Sequence, residues 1–178
     1  LNKHIITEDD ILAVPEFKLP IFRGNQCEAL RMYMRKLLIF AHTENNDNEC
    51  GFLIDSFNFN LCKTFKGTET DVRMGDTLLY VNNMPEYDNR YIFIHNHPNN
   101  SGFSFTDIKT FMLNNSIFMA IAVQNNGSFY LLYKTQTVYK SFYDWVENNF
   151  SSPAEFCKAC PLDFIHFYRK RRIGYNDK

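Results

Sequence analysis

The chain has 178 residues, 45% of them hydrophobic and 22% charged, with 19 Lys and Arg against 20 Asp and Glu. That length can bury a core in one domain, the composition excludes a disordered polymer, and a net charge of -1 leaves no global footprint for nucleic acid. No apolar run is long enough to span a bilayer, and five cysteines without a regular framework (Cys27, Cys50, Cys62, Cys157, Cys160) fit a reducing, cytoplasmic setting better than a secreted disulfide scaffold.

Residues 1–24 read as an irregular N-terminal segment, with one turn of helix at Glu8–Leu12 before Pro15 and Pro20. Asn25–His42 reads as a helix, with Leu30, Met34, Leu37, Leu38 and Ala41 at helical spacing. A polar loop follows at Thr43–Asn48. Cys50–Phe57 and Leu61–Phe65 are then expected to pair as a hairpin. Gly67–Asp76 is loop-like, Thr77–Val81 is a short apolar run, and a second polar stretch reaches Asn89. Arg90–His95, nearly all apolar, reads as a buried central strand.

Phe105 to about Asn114 is expected to be a helix with Phe105, Ile108, Phe111 and Met112 inward. Ile117–Val123 and Phe129–Lys134 flank Asn126-Gly127, a hairpin turn signal. Val138–Asn149 reads as a helix, and Ser152-Pro153 opens a further helical region divided at Pro161. The order implies one mixed α/β (α+β) domain over 25–140, with a helical extension at 141–178 packing on it.

The stretch with chemistry is His95-Asn96-His97-Pro98, followed by Ser104-Phe105-Thr106-Asp107. Side chains alternate along a strand, so His95 and His97 share a side, and two adjacent imidazoles begin a zinc site. Ser104-x-x-Asp107 has capping-box spacing, which puts Asp107 in the first turn of the next helix, beside the loop leaving the histidines. A carboxylate there can supply a third ligand and leave the fourth tetrahedral position open. The bland alternative is a structural histidine pair beside an ordinary helix cap.

These residues resemble the metal motif of the JAMM (JAB or MPN+) metalloproteases. The wording is closest to bacterial and phage JAB domains, and His-Asn-His-Pro is shared with RadC-like proteins. The loop before Ser104 is one residue shorter than in the eukaryotic deubiquitinases. The resemblance spans roughly residues 49–134 and implies a JAB/MPN-like mixed β-sheet flanked by helices, of cytidine-deaminase-like architecture. It implies Zn2+ held by His95, His97 and Asp107, with Ser104 stabilising the tetrahedral intermediate and an upstream Glu as general acid/base. Glu49, opening Glu49-Cys50-Gly51-Phe52-Leu53-Ile54-Asp55, matches the bacterial pattern; Glu44 and Glu69 are reserves. The implied activity is hydrolysis of a peptide or isopeptide bond, with a protein or peptide such as a ubiquitin-like tail as substrate. A non-hydrolytic interaction module of the same fold and a RadC-like DNA-associated role are the alternatives.

Other features read as structural. Cys157-x-x-Cys160 alone is weak evidence for a metal, since structural zinc needs four ligands and only Cys50, Cys62 and His166 are candidates to join it, and Cys50 reads as an inert strand cysteine. His4, His42 and His166 read as surface residues, and Arg169-Lys170-Arg171-Arg172 as a solvated helix face or tail. Aromatics are abundant, with 18 Phe and 10 Tyr. Phe93, Phe105, Phe111 and Phe118 are expected in the core, and Phe103 is expected to pack the metal loop. The aromatics from Phe150 to Tyr168 are expected to close the core or to face a partner or a second copy of the chain.

Overall fold

The computed structural model describes residues 2–73 and 88–172. The apolar run expected at 77–81 lies outside them.

Thr7 caps a single turn, α1 (Glu8–Leu12), in a reciprocal box with Asp10. Helix α2 (Gln26–Asn45) buries the predicted stripe of Leu30, Met34, Leu37, Leu38 and Ala41. It runs past the expected end at His42 because the left-handed turn comes later, at Asn46 and Asp47, with φ of 50° and 59°. Strands β1 (Cys50–Asp55) and β2 (Leu61–Lys66) pair antiparallel. Then follow β3 (Tyr91–His97), α3 (Phe105–Leu113), β4 (Ile117–Gln124), β5 (Phe129–Lys134), α4 (Lys140–Asn149), α5 (Pro153–Ala159) and β6 (Ile165–Lys170).

The result is a mixed six-stranded sheet in the order β2-β1-β3-β4-β5-β6, flanked by helices. Only β3 and β4 run parallel, and α3 crosses between them. Alternation along β3 sorts its side chains to the two faces. Ile92 and Ile94 pack with α2, while Tyr91 and Phe93 pack with α3 and α4. The carboxyl end of β3 and the start of α3 therefore meet at one sheet edge, where open α/β sheets form crevices.

The C-terminal region departs from the expected helix. Beyond Pro161 it forms β6, antiparallel to β5, and the basic run ends this strand instead of a helix. Phe167 packs on Tyr130 at 6.1 Å and Tyr168 on Phe129 at 6.2 Å between ring centroids, on opposite faces. Alternation along the strand places Ile165 and Phe167 on one face and Tyr168 on the other. Phe156 is buried, while Phe105 and Phe118 are only half-buried. Tyr139, Phe142 and Trp145 stay exposed, and Phe142 and Trp145 line a shallow depression with Leu162. No helix among the described residues is long and apolar enough to cross a membrane.

The histidines set aside as surface residues have partners. His4 Nε2 lies 2.9 Å from buried Asp10, His42 Nδ1 lies 2.8 Å from buried Asp47, and His166 stacks on Tyr133. Arg172 also pairs with Asp10, tying the end of the sheet to the N-terminal segment.

Lys134 is fully buried and donates to the carbonyls of Phe111 at 2.8 Å and Asn114 at 2.7 Å, closing the C-terminus of α3. Burial lowers its ammonium to about 7, against the opposing charge of Asp88. The folded state holds this proton more weakly than the unfolded chain does, so wild-type stability rises as pH climbs from about 7 towards the ordinary lysine range. Lys134→Met is expected to destabilise by about 1–3 kcal/mol at pH 9, because two helix-end carbonyls lose their donor. The deficit should shrink towards pH 6, where the wild type carries the buried charge; urea unfolding at both pH values measures it.

Candidate metal centre

His95 and His97 leave β3 on the α3 side, 2% and 4% exposed, with their Nε2 atoms 2.8 Å apart. Gly51, opposite His95 in β1, makes room for this arrangement. A Cβ there would come within 2.8 Å of the Phe93 ring, which lies stacked on the His95 imidazole at 5.2 Å. Phe103 is buried between His95 and Tyr130, 6.4 Å from each ring, and so packs the loop after the histidines.

Asp107 completes the cluster from the first turn of α3. Its Oδ1 lies 3.1 Å from His95 Nε2 and its Oδ2 lies 3.5 Å from His97 Nε2. The Ser104 backbone N–H and hydroxyl each donate to Asp107 Oδ2 at 2.7 Å, and Ser104 Oγ accepts from the Asp107 N–H. The predicted capping box is thus present, and it aims the carboxylate at the imidazoles. The Ser104 proton is directed at Asp107, at the rim of the cleft. Ser101 supports the other side, with its Oγ 3.0 Å and its carbonyl 3.3 Å from His97 Nδ1. A proton on Nδ1 shared with that carbonyl leaves the Nε2 lone pair facing the cluster.

The charges follow from this packing. Burial pushes the Asp107 carboxyl up, but the charges and hydrogen bonds of His95 and His97 outweigh it and hold the group well below the carboxylate range. Burial lowers His95 in spite of Asp107. Burial also opposes charging of His97, but Asp107, Glu49 and the Ser101 backbone raise it. At neutral pH the cluster therefore contains an ionised carboxylate, with His97 the better proton holder of the two imidazoles.

Glu49 lines the same cleft, which has a volume of about 700 Å³. The residue sits just before β1, enclosed by the chain after β2. Its N–H donates to Thr68 O and its carbonyl accepts from Gly67 N–H, both at 2.8 Å. Burial lifts its carboxyl to about 7; His97 opposes the shift, and Asp107 and Asp71 add to it. Of the reserve glutamates, Glu69 also lines the cleft, whereas Glu44 sits outside it and pairs with Lys66.

The donor set fits a zinc-like cation. Two imidazole nitrogens and a carboxylate oxygen lie within 4.8 Å of one another, and they form the one such His/Cys/Asp/Glu group among the described residues. Among the described residues, no group of potential metal ligands includes Cys157 or Cys160. Burial pushes the Cys157 thiol up to about 12, and the Cys160 thiol donates to Ile165 O.

Searches against protein-family models, curated proteins and solved structures found no match.

Sequence reasoning did not single out Ser101 or Asn96. Ser101 carried no signal beyond lying in the loop. Asn96 did: it is an amide in a buried strand that is apolar but for the two histidines beside it, and buried polar groups need partners.

Proposed function

We propose that this chain is a zinc-dependent amide hydrolase of the JAMM type, with a JAB/MPN-like fold, acting on a peptide or isopeptide bond of a protein substrate. The observation that supports this best is the convergence of His95, His97 and Asp107 in a cleft that also holds a half-buried glutamate. His95, His97 and Asp107 would hold the cation. When bound, zinc supplies Lewis acidity, polarising a carbonyl and making water more acidic.

Glu49 then takes a proton from the attacking water at its carboxylate and returns it to the leaving amine. A carboxyl titrating near 7 suits both directions of transfer at neutral pH. Ser104 exchanges its bond to Asp107 for one to the substrate oxygen where negative charge develops. Asp107, fixed by the backbone N–H of Ser104, stays ionised throughout.

The test is metal content and chelation. The purified chain is expected to bind one zinc per molecule and to cleave amide substrates, losing activity to a chelator and regaining it with zinc. His95→Ala and His97→Ala should each abolish stoichiometric binding. A folded wild-type chain that takes up no zinc would sink the proposal and favour the interaction-module reading.

A further inference from the structure

Asn96 lies between His95 and His97 but points to the opposite face of the sheet, fully buried. Its Oδ1 accepts the Cys50 N–H at 2.7 Å. Its Nδ2 donates to Asn48 O at 3.2 Å and to Asn125 Oδ1 at 2.8 Å. Asn48 and Cys50 are the two chain neighbours of Glu49, so one side chain grips the backbone on both sides of that residue.

The backbone register explains why this grip matters. The β1–β3 ladder reaches Gly51 opposite His95 and goes no further. Glu49 and Cys50 still pair with the β2 side, through Lys66, Gly67 and Thr68. Towards β3, however, their described polar link is the Asn96 side chain. That side chain grows from the peptide segment carrying both histidines, so it sets the spacing between Glu49 and the imidazoles.

We infer that Asn96 is a positioning residue that fixes Glu49 relative to the His95–His97 pair, which makes metal binding separable from placement of the proton-transfer group. The inference rests on the reading of Glu49 as that group. Removing the amide leaves both imidazoles and Asp107 in place. The start of β1 then stays fastened to β2 but loses its bond to β3, and Glu49 drifts from the cluster.

Asn125 supplies the matched control. Its side chain also makes three hydrogen bonds, to Asn96 at 2.8 Å, His4 O at 2.9 Å and Asp47 O at 3.1 Å, none of them to a neighbour of Glu49. If buried amides here serve stability alone, Asn96→Ala and Asn125→Ala should behave alike.

The experiment loads wild type, Asn96→Ala and Asn125→Ala with Co2+ and follows the pseudocontact shifts of backbone amides by NMR. One Co2+ should bind in each. The Glu49 and Cys50 shifts should move in Asn96→Ala only, and hydrogen exchange at the Cys50 amide should speed up about tenfold or more in that variant alone. With a substrate of the wild type, kcat should fall on the order of 100-fold in Asn96→Ala, with KM held. Unchanged Glu49 shifts in Asn96→Ala, or equal movement in Asn125→Ala, overturn the inference. If the wild type binds Co2+ but hydrolyses nothing, the hydrolase reading fails while the shifts still decide the positioning role. If no Co2+ binds, exchange at Cys50 in the metal-free proteins decides whether Asn96 holds this backbone.

Discussion

Glu49→Gln is expected to retain the bound zinc and lose hydrolysis by about 10²–10⁴-fold, the usual contribution of a positioned general acid/base. Gln preserves the shape of the side chain but cannot accept a proton from water and pass it on. Burial raises the Glu49 carboxyl to about 7 from an ordinary value of 4.5, so the metal-free folded state binds this proton more tightly than the unfolded chain does. Stability from this group is therefore complete at acid pH and declines as pH rises from about 4.5 through 7. Glu49→Gln should stabilise the metal-free chain at pH 8 by on the order of 1–2 kcal/mol, allowing for partial solvent exposure, and do little at pH 5. Metal analysis, a hydrolysis assay and denaturant unfolding at the two pH values give the three readouts. Full activity in this variant would remove Glu49 as the base, and the same assay on Glu69→Gln would then test the reserve glutamate in the cleft.

Much of this site was legible in local sequence patterns because its parts are local. Two histidines two residues apart share a side once the strand is granted, and Ser104-x-x-Asp107 fixes the carboxylate through a helix-cap geometry spanning a single turn. The Asn126-Gly127 signal likewise located the β4–β5 hairpin, where Gly127 has a φ of 88°. What the sequence hid depends on non-local contacts. Glu49 is held against the chain after β2 by backbone bonds to Gly67 and Thr68, and no pattern near residue 49 encodes that pairing. Strand β6 was hidden by Pro161 and by a basic run that reads equally well as a helix face. Its strand character comes from pairing with β5, which lets Phe167 and Tyr168 fill opposite faces.

The same contrast separates the proposed ligands from the proposed positioning groups. His95, His97 and Asp107 announce themselves by residue type and spacing. Asn96 and Ser101 act through what they touch, and those partners are known only once the sheet edge and the loop are assembled. An asparagine at the last position but one of Tyr91–His97 weakens the strand pattern when read as sequence. In the fold, both of its amide hydrogens and its oxygen have partners, so the buried polar group is satisfied and local pattern and structure agree.

Asp107→Ala should produce two losses that other substitutions can separate. It removes the carboxylate facing both imidazoles, so zinc affinity is expected to fall at least about 100-fold, the upper range for loss of even an outer-shell partner. It also opens the capping box of α3: the Ser104 N–H and hydroxyl lose their carboxylate acceptor, for a loss of about 1 kcal/mol, while Ser104 Oγ keeps the backbone N–H of residue 107. The pH dependence has a definite sign. Burial alone would raise this carboxyl, but His95 and His97 hold it well below the usual range, so its contribution is present above that range and is lost as pH falls. In the metal-free chain, the gap between wild type and Asp107→Ala should therefore be widest near neutral pH and close in acid. Asp107→Asn keeps an oxygen for the Ser104 N–H but no charge for a cation. It should recover the cap's share of stability while leaving zinc affinity low, as read by metal titration alongside thermal unfolding. Zinc bound as tightly by Asp107→Ala as by wild type would reduce Asp107 to a capping-box residue and leave the two histidines to find their third ligand among the other carboxylates of the cleft, such as Glu49.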